Sequence, residues 1–192
     1  HNPSGGLARR AGYGREFQKL FPGTPQIWLD AGNYFGDGSE PGQRNTETLT
    51  EAMGRLGYAA VNLGEREILP GYERLRQEME RAAFPLISGN VVYEDSGKPF
   101  LAPYVIRKVE ILRPGGKKLK FRVGFLGLAK VNPGLSLQTP DGRRMYEFHP
   151  WEKGISLAPT YRETDVDIWE YLQWLRSVGE DPNDYRSIWY YH

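Results

Sequence analysis

Residues 61–69 read V-N-L-G-E-R-E-I-L. An apolar run that begins at Tyr58 stops at Gly64, and Glu65, Arg66 and Glu67 follow in direct succession. Open α/β sheets build their sites at such places, where a strand ends in a glycine and presents polar side chains at its carboxyl end. The stretch therefore predicts a buried strand over YAAVNLG, and it leaves open whether the three charges begin a helix or form a site.

Working outward, the neighbouring segments alternate in type. Residues 7–20 read as a helix with Leu7, Tyr13, Phe17 and Leu20 inward and Arg9, Arg10, Arg15 and Lys19 outward, stopped by Pro22-Gly23. PQIWLDAG is a short apolar run with a polar end, a strand closing near Asp30 and Gly32. NYFGDGSEPGQRN has loop composition, and a helix is expected from Thr46 to Gly57 through Ala52, Met53 and Leu56. GYERLRQEMERAAF predicts a further helix, and PLISGNVV a further strand. This alternation argues a parallel sheet with helices on its faces.

After about residue 100 the pattern becomes β-rich. YVIRKVEILRPGGKKLKFRVGFLGLAKV holds two arms around Pro114-Gly115-Gly116, which predicts a hairpin. Lys117, Lys118 and Lys120 fit a solvated edge. VGFLGL reads as a core strand and residues 132–154 as loop-rich. Thr164 and Asp167 fit a capping box opening a helix over 164–178, with Ile168, Leu172 and Leu175 as its stripe. An aromatic tail follows. Two regions result: 1–150, and a divergent extension over 151–192.

Composition narrows the chemistry. The 192 residues suffice for one domain with an extension. With 25 basic against 24 acidic residues, no global field recruits nucleic acid. Cysteine is absent, which excludes disulfides, thiolate metal sites and cysteine nucleophiles. No apolar run approaches the ~20 residues of a membrane span. The sequence shows no Walker loop, dinucleotide fingerprint or nucleophile elbow. DAGNYFGDG lacks the alternation of an EF-hand. Of 5 Trp and 12 Tyr, Trp169, Trp174, Trp189, Tyr190 and Tyr191 crowd the final stretch. They are candidate anchors for a protein partner, or alternatively cover for the sheet's own surface.

Three blocks together carry a resemblance: GGLARRAG at 5–12, LDAGNYFGDG at 29–38 and TEAMGRLGYAAVNLGEREI at 50–68. With FPLISGNVV, PYVIRKVEI and RVGFLGL in the same order, the chain resembles the 5′-nucleotidase-type metallophosphatases of the calcineurin-like phosphoesterase superfamily over residues 4–135. The resemblance implies an α/β/β/α sandwich, here truncated or divergent, and an extracytoplasmic, periplasmic-type location. It also implies hydrolysis of phosphate esters by two divalent metals held on Asp, His and Asn.

The departures fall on that chemistry. Where the family reads Gly-Asp with a metal-bridging Asp, this chain has Asn33. Where the family reads Gly-Asn-His-Glu, this chain has Glu65 and Arg66 and keeps Gly64 and Glu67. The family's opening Asp-x-His strand would precede GGLARR by a couple of dozen residues, and only four residues stand there. Of three histidines, His1, His149 and His192, none lies in a Gly-His-x-His context. His149, beside Pro150 and Trp151, is expected to be a packed loop residue. Two dications ~3.5–4 Å apart need an anionic bridge, because at an effective dielectric of ~20 they repel by on the order of 10–20 kcal/mol. Asn33 is neutral, and Arg66 cannot deprotonate into a ligand.

The resemblance and its departures together predict a pseudoenzyme with no catalytic residues, no metal and no cofactor. Its vestigial pocket would be formed by Asp30, Asn33, Glu65, Arg66 and Glu67. The role expected is that of a structural or accessory subunit in a larger, extracytoplasmic or membrane-attached complex. The alternatives are an active phosphoesterase whose remaining ligands lie outside these residues, and a nucleotide- or phosphate-binding module. Three readings of residues 65–67 stay open. In the first, Glu65 and Glu67 favour a helix start; in the second, Arg66 plugs the metal socket by pairing with Glu67 or a retained Asp such as Asp30; in the third, Arg66 captures phosphate.

Overall fold

The computed structural model describes residues 6–112, 115–132, 134–135, 144 and 146–156. The chain divides into two compact units, residues 1–159 and 160–192, and every described residue belongs to the first. The helix expected over 164–178 and Trp169, Trp174, Trp189, Tyr190 and Tyr191 lie outside the described residues.

Helix α1 (Leu7–Leu20) leads to β1 (Trp28–Asp30), α2 (Glu40–Leu56) and β2 (Tyr58–Asn62). The short α3 (Glu65–Ile68), then α4 (Tyr72–Arg81) and β3 (Leu86–Ile87) complete the alternating part. Strands β1, β2 and β3 form a parallel sheet in that order. Tyr58, Ala59, Ala60 and Val61 of the central strand are all buried, which is why this segment reads as a continuous apolar run rather than an alternating one. Trp28 stacks on Tyr58 across the β1–β2 register at 6.0 Å between ring centroids.

Helix α2 begins six residues earlier than its composition suggests. Ser39 caps it, its hydroxyl accepting from the Gly42 amide at 3.2 Å, and proline stands in the first turn, where a missing N–H costs nothing. Gly57, at φ 73°, ends it in the left-handed conformation. Thr46, Thr50 and Met53 form its buried stripe.

Helices α2 and α4 are tied by charge. Glu78 is completely buried, and Arg74 meets its Oε1 at 3.0 Å. The Thr50 hydroxyl lies 3.0 Å from Glu78 Oε2. Arg74 and Arg81 both reach Glu47 on α2, at 3.3 and 3.2 Å.

PLISGNVV is two strands, not one. After Ile87 the backbone changes partners: the Ser88 amide donates to Ala102 O at 3.1 Å and the Gly89 amide to Gly127 O at 2.8 Å. Strand β4 (Val91–Tyr93) then pairs antiparallel with β7 (Tyr146–Phe148), in a stretch whose composition reads as loop. Helix α5 (Trp151–Ile155) follows. Buried Asn90 holds this junction, bonding Ala129 N at 2.8 Å, Ala129 O at 2.7 Å and His149 O at 3.1 Å.

Strands β5 (Tyr104–Leu112) and β6 (Lys118–Leu126) form the expected hairpin, with Gly115 and Gly116 at φ 89° and 82° in its turn. Lys117, Lys118 and Lys120 are exposed, and Lys118 pairs with Glu110 at 2.6 Å. VGFLGL is not a separate core strand; its first four residues are the end of β6, which contains no fully buried residue. Helix α1 also differs in its facing. Tyr13 and Leu20, expected inward, are each 65% exposed, because α1 buries none of its residues.

Candidate functional site

The carboxyl ends of β1 and β2 lie side by side, and the two loops leaving them touch. At Gly32 (φ 95°) an added Cβ would lie 2.5 Å from Asn62 O and 2.9 Å from Gly64 N. At Gly64 it would lie 2.5 Å from Asn33 Oδ1. Only glycines permit an approach this close.

Glu67 organises the junction. It is fully buried, with 0% of its surface exposed. Its Oε1 accepts from the amides of Tyr34 (2.8 Å) and Phe35 (3.1 Å), and its Oε2 from those of Asn33 (2.9 Å) and Gly64 (2.8 Å). The Gly64 bond is half of a capping box, with Glu67 as the third residue of α3 reaching back to the residue before the helix. The other three bonds carry that cap across to the loop leaving β1. Four amide donors around one carboxylate satisfy a charge that would otherwise be expensive to bury.

Asn33 completes the clasp from the other side. It is the only non-glycine among the described residues with positive φ, at 62°, a conformation that asparagine tolerates better than most residues. Its Oδ1 accepts from the Arg66 amide at 3.0 Å. Glu65 accepts from Asn132 Nδ2 at 3.1 Å, which brings in the segment after β6. Asn62 at the end of β2 donates to Leu128 O at 2.9 Å and Ala31 O at 3.3 Å.

The structure thus brings Asn33, Glu65, Arg66 and Glu67 together and places Asp30 beside them, at the end of β1. Asp30 Oδ1 accepts from the Gly32 amide at 3.0 Å, and Oδ2 pairs with Arg10 at 3.6 Å. The plug geometry is absent: Glu67 is engaged by amides, Asp30 pairs with Arg10, and Arg66 is exposed. Among the described residues the Arg66 guanidinium makes no hydrogen bond or ion pair. Its charge is felt at Asp37, whose carboxyl lies below its ordinary value through hydrogen bonds from Ser39, with Arg66 adding to the effect. Of the three readings of residues 65–67, the helix start describes the observed contacts, and Glu67 does more than a cap requires.

Sequence reasoning missed two residues. Tyr34 packs edge-on against Phe35 and Phe84. Burial pushes its phenol well above the usual tyrosine value, and the Glu67, Glu78 and Asp30 carboxylates push the same way. Asn132 carries no local signal, because its contact with Glu65 spans 67 positions.

No family model matches the chain. Over 132 residues, 68% of the chain, it is 29% identical to a 2′,3′-cyclic-nucleotide 2′-phosphodiesterase/3′-nucleotidase of Salmonella typhimurium. The crystal structure of calcineurin-like phosphoesterase YfkN from Bacillus subtilis matches 65% of the chain and 40% of its own, with a TM-score of 0.53 and 26% identity. The chain is thus similar in sequence and in fold to calcineurin-like phosphoesterases. Over 53 residues, 28% of the chain, it is also 49% identical to an uncharacterized KamA family protein of Methanocaldococcus jannaschii. The chain spans 18% of the Salmonella protein and 8% of the Methanocaldococcus one.

The metal pair implied by a phosphoesterase relative does not fit the donors that the described residues present at this junction. Asn33 Oδ1 is turned to an amide, both Glu67 oxygens are enclosed by amides, and Asp30 faces Arg10. Among the described residues, no three His, Asp or Glu side chains stand close enough to hold a metal ion. No helix of these residues is long and apolar enough to cross a membrane.

Proposed function

We propose that this chain is a metallophosphatase-fold domain that does not hydrolyse phosphate esters and serves as a structural or accessory subunit of a larger, extracytoplasmic assembly. The observation that carries the reading is the commitment of its donors. The positions where the family resemblance puts the metal-bridging Asp, the metal-binding Asn and the catalytic His hold an amide oxygen bound to Arg66 N, the Glu65 carboxylate engaged by Asn132, and a guanidinium. The extracytoplasmic assignment rests on the family resemblance. The partner-binding role rests on the aromatic residues Trp169, Trp174, Trp189, Tyr190 and Tyr191, which we propose as the docking anchors.

A second reading has one observation in its favour. The relatives are nucleotide phosphoesterases by description, and the chain matches only part of each. An active enzyme would then complete its centre with groups outside these residues, and a nucleotide-binding module would use the same surface without turnover. The deciding experiment incubates the purified protein with manganese and 2′,3′-cyclic and 5′-nucleotides, alongside elemental analysis and calorimetry. The proposed reading expects no turnover and no stoichiometric metal. Turnover would establish the enzyme, and nucleotide binding without turnover the binding module.

A further inference from the structure

We propose that the outer face of the β5–β6 hairpin is a docking surface for an anionic lipid membrane. The proposal goes beyond the reading above and stands whether or not the chain hydrolyses phosphate esters.

Charge is segregated here in a chain that is nearly neutral as a whole. Seven of its 25 basic residues and one of its 24 acidic residues fall within residues 104–126. The pleat then sorts them, because successive side chains of a strand point to opposite faces. On one face Val109 stands opposite Phe121 and Ile111 opposite Leu119, all partly shielded. Arg107, on that same face, donates to Ala59 O at 2.6 Å and so turns it toward the parallel sheet. The other face points away. Lys108 stands opposite Arg122, Glu110 opposite Lys120 and Leu112 opposite Lys118, and all six are exposed. Lys117, exposed beside the turn, adds a fifth cation. Glu110, the one acid at these positions, is already paired with Lys118 at 2.6 Å.

Guarding a sheet edge needs only scattered charge, whereas here five cations share one face with an exposed leucine. Such a face complements an extended anionic surface. Four of the five cations are lysines, hydrated point charges on flexible stems, which suit headgroups that move rather than one fixed partner. Clusters of about four to eight basic residues hold to anionic lipid by this additive attraction. Leu112, 56% exposed and opposite Lys118, supplies an apolar side chain for the interface to take in. None of the six paired positions carries an aromatic ring, the platform on which a single-stranded nucleic acid would stack its bases.

The test is flotation of the full chain with vesicles of phosphatidylcholine alone and of phosphatidylcholine with about 30% phosphatidylglycerol. Binding is expected on the anionic vesicles only, and it should weaken at least about tenfold as salt rises from about 0.05 to 0.5 M. A triple variant, Lys108→Gln with Lys117→Gln and Lys120→Gln, leaves the Glu110–Lys118 pair in place and should lose at least about tenfold in affinity. Circular dichroism should show its helix and strand content unchanged. Leu112→Ser probes the same face without touching its charge and should weaken binding by about threefold or more. Should the triple variant not fold, Leu112→Ser and the salt dependence decide. As a control, Arg9→Gln with Arg15→Gln and Lys19→Gln removes as many cations from α1 and should leave affinity within about threefold. No binding to the anionic vesicles, hairpin variants that bind as wild type, or an equal loss in the α1 control would each overturn the proposal. Tighter capture of a single-stranded oligonucleotide than of the vesicles would overturn it too, and would assign the face to nucleic acid.

Discussion

Glu67 and Asn33 hold each other's backbones: the Asn33 amide donates to Glu67 Oε2 at 2.9 Å, while Asn33 Oδ1 accepts from the amide of Arg66, the residue before Glu67. The two residues are 34 positions apart, and each supplies what the other's loop lacks. The carboxylate provides acceptors for a run of amides, and the carboxamide provides one for the helix start.

Removing the carboxylate should therefore be costly. Glu67→Ala strips partners from four amides at once, and a loss of about 3–5 kcal/mol is expected. For a chain of this size that corresponds to a fall of roughly 10 °C in Tm, read by circular dichroism.

Position 33 should discriminate by backbone conformation. Asn33→Val places a β-branched residue at φ 62° and removes the bond to Arg66, and should cost about 2–3 kcal/mol. Asn33→Gly relieves the conformational strain while losing the same bond and should cost less than Val. Denaturant melts of the two variants, compared through their midpoints, check the order.

Breaking the buried pair within α4 should cost more than a change at the surface of the same helix. Glu78→Ala removes the buried carboxylate that Arg74 and the Thr50 hydroxyl share, leaving Arg74 only the half-exposed Glu47 as an acidic partner, and is expected to cost about 3–5 kcal/mol. Glu73→Ala, which removes an exposed partner of Arg76 on the same helix, should fall within about 0.5 kcal/mol of wild type. Chemical denaturation of both variants measures the contrast.

Alkaline pH should unfold the domain through its tyrosines. The phenols of Tyr34 and Tyr146 are both raised in the folded state, chiefly by burial. Below the unfolded value of about 10 they are neutral in both states, and their linkage contributes fully. Above it the unfolded chain ionises first, so stability falls as pH rises toward the folded values. Melts from pH 9 to 12 should steepen downward in wild type and less so in Tyr34→Phe. Absorbance titration near 295 nm should show late-ionising tyrosines that move to the normal range on unfolding.

Asn90 should behave as a structural hub. Asn90→Ala leaves the Ala129 amide and the Ala129 and His149 carbonyls without this partner, and about 2–4 kcal/mol should be lost. Nuclear magnetic resonance should place the shift changes at residues 127–129 and 148–150 as well as around position 90.

Local chemistry was enough to read the alternating part of the fold. Leu7–Leu20 is the helix its spacing predicts, Gly57 ends α2 where a left-handed cap is needed, and YAAVNLG becomes a central strand because burial on both faces demands a continuous apolar run. The hairpin follows from its glycine turn. These features depend on neighbours a few residues apart, so one segment suffices to show them.

Tertiary structure decided the rest, because its partners are distant in sequence. Nothing in PLISGNVV announces that Ser88 and Gly89 will bond Ala102 and Gly127, which is what divides the segment into β3 and β4. Tyr13 and Leu20 of the inward stripe expected on α1 are exposed, and Leu7 and Phe17 only half-buried, because a helix periodicity marks an apolar face without supplying what covers it. At the candidate site the sequence identified which residues stand where a metal pair would, but not what they do. A glutamate beside an arginine reads equally as ion pair, ligand or cap. Only the arrival of the Asn33, Tyr34 and Phe35 amides from another loop makes Glu67 a buried anion with every acceptor site engaged.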